Sequence, residues 1–76
     1  MKLEIGKVYH SFVVDGRYFK VLEWNETTGF AKLAWVTQRR NYHEQIIKPS
    51  TVNYVREGCR EVSPLELMLV APKELR

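Results

Sequence analysis

Asp15-Gly16 stands between two runs rich in Val, Tyr and Phe, residues 7–14 and 17–24, and it restricts the fold more than any other feature of the chain. Both central residues of a tight type I′ turn need positive φ, which an Asp-Gly pair accepts, so the two runs are expected to form an antiparallel hairpin. A two-residue loop would set Phe12 opposite Phe19, His10 opposite Val21, Val13 opposite Tyr18 and Tyr9 opposite Leu22. Both faces of that hairpin carry apolar side chains. Partial cover on each side is therefore expected.

The pattern continues as a meander. Asn25 to Gly29 supplies a second turn, with Gly29 the expected positive-φ residue, and residues 30–36 form a third strand. Tyr42 to Lys48 reads as a fourth, with either Ile46 or Ile47 turned into the core, and Pro49 ends it by removing a ladder donor. Residues 50–58 read as a strand or as a packed irregular loop. Arg60 to Val62 is a short strand entering Ser63-Pro64-Leu65-Glu66, where Ser63 suits an N-cap, Pro64 the first helical position and Glu66 the third. Pro72 leaves room only for a helical or 3₁₀ turn over Ser63–Leu67, leading into a last strand at Leu69-Val70 that closes the sheet. At 76 residues there is room for one hydrophobic core, so residues 1–76 are read as a single domain.

Four or five short strands with one such turn suggest an all-β, strongly bent antiparallel barrel. The chain resembles, at fold level, the SH3-like small barrels. Gly6-x-x-Tyr9, the meander through Val36, and Val62-Ser63-Pro64-Leu65-Glu66-Leu67 carry the resemblance, over about half the chain. It implies a surface type used for nucleic-acid or peptide binding and in phage or mobile-element accessory proteins. The glycine-rich loop of the ribosomal-type barrels, an acidic loop for proline-rich peptides and an aromatic cage for methylated lysine are not evident.

The net charge of +3 is unevenly placed. Residues 39–60 alone sum to +3, against +1 for residues 1–38 and −1 for residues 61–76. A mid-chain excess of this kind suits a polyanionic partner. The single cysteine, Cys59, permits no internal disulfide and fits a reducing compartment, and without an apolar leader or a membrane-length run the cytoplasm is the expected location.

Few residues point to chemistry. His10, His43 and Cys59 lack the close ligand pair of a structural zinc site, so no metal or cofactor is expected. His10 reads as a half-buried sheet residue and Cys59 as an unreactive thiol. No close carboxylate pair, phosphate loop or dinucleotide fingerprint is legible, and the chain is read as a non-enzyme.

The binding candidates lie in Thr37-Gln38-Arg39-Arg40-Asn41-Tyr42-His43. Arg39 and Arg40 can each fork onto a phosphate, Asn41 can bond a backbone or base edge, and Tyr42 can stack on a base. His43 adjoins them, Trp35 is a further stacking candidate, and Arg56 and Arg60 would join if the 49–58 segment folds back toward the loop. The expected function is nucleic-acid binding through this basic, aromatic surface. The alternative is a protein-interaction module or homodimeric adaptor that uses a strand edge or aromatic face against an acidic protein surface.

Overall fold

The computed structural model describes residues 3–13, 17–37 and 39–76, so the Asp15-Gly16 turn lies outside the described residues. Five strands form one antiparallel sheet: β1 (Val8–Ser11), β2 (Tyr18–Trp24), β3 (Ala31–Val36), β4 (Tyr42–Ile47) and β5 (Cys59–Glu61). Their spatial order is β4-β3-β2-β1-β5, a four-strand meander whose first strand also pairs with the last. Helix α1 (Pro49–Glu57) links β4 to β5. Helix α2 (Pro64–Leu69) and a terminal 3₁₀ turn (Lys73–Leu75) follow β5.

The β1–β2 register differs from the one a two-residue loop would give. Tyr9 lies opposite Phe19, Val8 opposite Lys20 and His10 opposite Tyr18, and the Ser11 N–H donates to the Arg17 carbonyl at 2.8 Å. The ladder is displaced by three positions, an odd number, which exchanges the partners between faces. Packing explains the outcome. Tyr9 and Phe19 stack at 5.5 Å, and Phe19 meets Trp35 at 4.9 Å, so three large rings share one face.

That first face is covered by α1. Tyr9, Phe19, Val21, Leu33 and Trp35 pack with Leu3, Ile47 and Cys59 and with Val52 and Val55 of the helix. The opposite face carries Val8, Ala34 and Val36 against Val62, Leu67 and Leu75, from α2 and the residues flanking it. Cover on both sides is what the hairpin's apolar alternation requires. A bulge helps: the β2–β3 register shifts by one between Val21 and Glu23, which returns Trp24 to the first face opposite Ala31.

Several local expectations hold. Gly29 has φ +81°, Ile47 is core while Ile46 is exposed, and the Ser63 hydroxyl accepts from the Glu66 N–H at 3.2 Å. Two do not. Residues 49–57 are a helix rather than a strand or loop, with Pro49 in its first turn, and Val52 and Val55, one helical turn apart, are its buried residues. Leu69 and Val70 end and follow α2 rather than forming a closing strand; the last strand is Cys59–Glu61, which precedes the helical turn. Among the described residues β4 and β5 pair only with β3 and β1, so the sheet is not closed.

Phe19 is fully buried between two rings. Phe19→Ala is expected to cost ~3–5 kcal/mol, a large share of the stability of a domain this size at roughly 0.05–0.15 kcal/mol per residue. Ile46→Ala should stay within about 0.5 kcal/mol. Urea unfolding of the two variants measures both.

Candidate interaction surfaces

The β3–β4 turn is built by Thr37. Its N–H donates to the Asn41 carbonyl at 3.0 Å, its carbonyl accepts from the Arg40 N–H at 2.8 Å, and its hydroxyl accepts from the Asn41 N–H at 3.1 Å. Arg40 closes this turn at φ +63°, a left-handed conformation that costs a non-glycine residue roughly 1–2 kcal/mol. Arg39, Arg40, Asn41, Tyr42 and His43 are all exposed here. The Arg40 guanidinium reaches Glu74 at 3.4 Å, and the Tyr42 hydroxyl donates to Glu44 at 2.9 Å. Arg39 makes no ion pair with any described residue.

The other sequence candidates do not join this cluster. Trp35 lies opposite His43 across the ladder, yet it is only 5 % exposed with its ring in the core, so it offers no stacking surface. Arg56 is in the last turn of α1, where it donates to the Asn53 side chain at 2.8 Å. Arg60 is on β5, at the far edge of the sheet from β4. Four strand spacings of ~4.8 Å separate those edges by about 19 Å. The expected single basic patch is thus two separated groups.

Arg60 instead anchors α2. Its guanidinium forks onto Glu66 at 2.8 and 2.9 Å, and the Tyr18 hydroxyl donates to the same carboxylate at 3.0 Å. Such bidentate pairs are geometrically specific as well as strong. They hold the Glu66 carboxyl below its ordinary value, the guanidinium more than the phenol. Tyr18 moves upward through burial and through that same bond. At the other end of α2, the Arg76 guanidinium donates to the Leu67 and Met68 carbonyls, groups a helix C-terminus leaves open.

Held this way, α2 turns Leu67 inward and leaves Leu65, Met68, Leu69 and Val70 outward at 67, 67, 73 and 65 % exposure. Residues three and four apart share a helix face, so Leu65, Met68 and Leu69 make one stripe. Beneath α2 a cleft of about 310 Å³ is lined by Val8, Val62, Pro64, Leu67 and Leu75, with Lys7, Lys20, Arg76 and Glu61 as its charged lining residues. Lys20 has no ion-pair partner among the described residues. The sequence did carry a signal for this surface: Leu65-x-x-Met68-Leu69 is helically spaced. Assigning Leu69 and Val70 to a strand obscured it.

Cys59 is buried, and desolvation pushes its thiol upward, which disfavours the thiolate a nucleophile needs. No cluster of His, Cys, Asp or Glu suited to a metal forms among the described residues, and none of their helices is long and apolar enough to cross a membrane. Comparison with protein-family models, with curated proteins and with solved structures finds no match.

The Glu66 anchor makes stability depend on pH. A carboxyl held below its ordinary value of 4.5 contributes fully above that value and loses its contribution as pH falls through the folded value. Glu44 and Glu74 are lowered too. The melting temperature should therefore be level from about pH 7 to 5.5 and fall below about pH 4.5. Glu66→Gln should lower the plateau and make the acid-side fall shallower, as differential scanning calorimetry across pH would show.

Proposed function

We propose that this domain is a protein-interaction module that docks an apolar segment bearing acidic residues on the outer surface of α2. The apolar stripe Leu65-Met68-Leu69, with Val70 beside it, carries the reading: these side chains face solvent on a helix fixed at both ends by arginines. Contiguous exposed apolar patches are a recognised mark of interaction surfaces. Three cationic residues, Lys7, Lys20 and Arg76, against the single acidic Glu61 in the lining of the adjoining cleft, with the net charge of +3, favour acidic side chains around the partner's apolar anchor. Leu69→Asp should leave the melting temperature within a few degrees of wild type. It should weaken binding to the partner at least tenfold, read by calorimetry on a partner identified by crosslinking. A partner that binds wild type and Leu69→Asp equally well contradicts the reading.

A second reading, nucleic-acid contact at the β3–β4 turn, draws on Arg40. A non-glycine residue kept in a left-handed conformation is a local cost that a functional side chain can justify, and Arg39 beside it is unpaired among the described residues. Fluorescence anisotropy with single-stranded DNA, duplex DNA and RNA is its measurement. Affinity should fall by roughly 0.7–0.9 log units per contacted phosphate for each tenfold rise in salt, and Arg39→Ala with Arg40→Ala should remove most of it. Absence of binding at low salt to all three would rule this reading out.

The SH3-like small barrel remains our reading of the fold family. The return of the last strand to the first and the helical turn beside that strand support it, while the open β4 and β5 edges leave the barrel incomplete. A cytoplasmic accessory role of phage or mobile-element type accompanies that reading, supported by small size and a single, buried thiol.

A further inference from the structure

The geometry points to a homodimer in which two copies of β4 pair antiparallel about a two-fold axis at Gln45, giving one continuous sheet. This uses a different surface from the α2 stripe and does not depend on it.

The free edge of β4 follows from its hydrogen-bond phase. Thr37 and Asn41 bond across the end of the β3–β4 ladder, and the register runs without a shift from Val36↔Tyr42 to Ala31↔Ile47. Backbone groups alternate in direction along a strand, so His43, Gln45 and Ile47 bond inward to β3. Tyr42, Glu44 and Ile46 then direct their N–H and C=O groups away from the sheet. No described residue bonds those groups, and all five residues from Tyr42 to Ile46 are exposed. A strand of six residues with no bulge and no internal proline is a long edge to leave open. The opposite edge, β5, has only three residues.

A second copy is the occupant because β4 is complementary to itself in one register. A two-fold axis perpendicular to the sheet returns each face to itself, so the axis must pass a residue and its own copy. Centring on Glu44 sets two carboxylates directly opposite, which is destabilising. Centring on Ile46 ends the ladder at Glu44, because the chain turns into α1 after Lys48, and centring on Tyr42 or His43 cuts it short at the other end, where Arg40 at φ +63° leaves the extended strand. Centring on Gln45 uses Tyr42 through Lys48. It sets Glu44 opposite the partner's Ile46 and Tyr42 opposite the partner's Lys48.

In that register Glu44 has two diagonal neighbours, the partner's Glu44 and the partner's Lys48. It keeps Lys32 at 3.2 Å within its own chain, so each carboxylate has a lysine on either side to offset the other carboxylate. Tyr42 comes beside the partner's Ile46, so two exposed apolar side chains cover one another twice across the axis. The two Gln45 side chains meet on the other face as a non-hydrogen-bonded pair, the closer of the two kinds. A single strand edge buries less than the ~800 Å² per partner of a standard interface. The dimer is therefore concentration-dependent.

Sedimentation equilibrium of the full chain from micromolar to millimolar concentration is the first test. The expected mass rises from 9.0 kDa toward twice that value. Ile46→Pro removes an outward N–H without touching a β3 bond and should hold the chain monomeric with its circular dichroism unchanged, whereas Leu69→Asp should dimerise like wild type. Under oxidised glutathione, Gln45→Cys should form a disulfide dimer at least tenfold faster than Glu44→Cys or Ile46→Cys, with wild type controlling for Cys59. A monomer at every concentration, a dimer abolished by Leu69→Asp, or undiminished dimerisation of folded Ile46→Pro overturns the proposal. Faster crosslinking at Glu44→Cys or Ile46→Cys overturns the register and with it the argument from complementarity.

Discussion

The stack of Tyr9 on Phe19 sets the rest of the molecule. In a strand the side chains alternate, so fixing one cross-strand pair fixes which face every neighbour occupies. With these rings together, Trp35 follows onto the same face through its pairing with Phe19. Val8, Tyr18, Ala34 and Val36 are committed to the other side. One sheet thereby acquires two apolar surfaces. Each needs its own cover, and a short chain provides it by placing α1 on one surface and α2 with the 3₁₀ turn on the other.

The second cover is held differently from the first. Helix α1 contributes buried valines, and apolar contact dominates its attachment. Helix α2 has no residue that is fully buried, and much of its attachment is polar: the Arg60–Glu66 fork, the Tyr18 hydroxyl and the Arg76 guanidinium. A helix secured by its polar groups is free to present apolar ones outward. Arg40, Arg56, Arg60 and Arg76 thus have intramolecular carboxylate or carbonyl partners. The mid-chain positive excess seen in the sequence is correspondingly less available to a polyanion than the count of charges implies.

The meander was legible because its signals are local. Gly29, the boundaries of the third and fourth strands and the Ser63 cap each follow from a few adjacent residues. The helix at residues 49–57 was not, since Thr51, Val52 and Val55 are β-branched and lower helix propensity. The burial of Val52 and Val55 in the cluster that holds Leu33 and Trp35 is a tertiary effect that no local window contains. The β1–β2 register failed for a related reason. Asp15-Gly16 specifies a tight turn, but ring packing among Tyr9, Phe19 and Trp35 decides the alignment. For the basic loop, contiguity in sequence was enough to group residues 39–43, whereas Arg56, Arg60 and Trp35 depended on topology and went elsewhere.

The pairing of β5 with β1 has a consequence for how the chain assembles. Tyr9 meets Glu61, and Ser11 meets Cys59, across about two thirds of the polypeptide. The three hairpin contacts of the meander close short loops and form early, while this last ladder must wait for α1 to carry the chain from one side to the other. During synthesis the outer border of β1 stays uncovered until β5, at residues 59–61, has emerged. A truncation that removes β5 therefore leaves a four-strand sheet with unpaired borders on both sides, a form prone to aggregate.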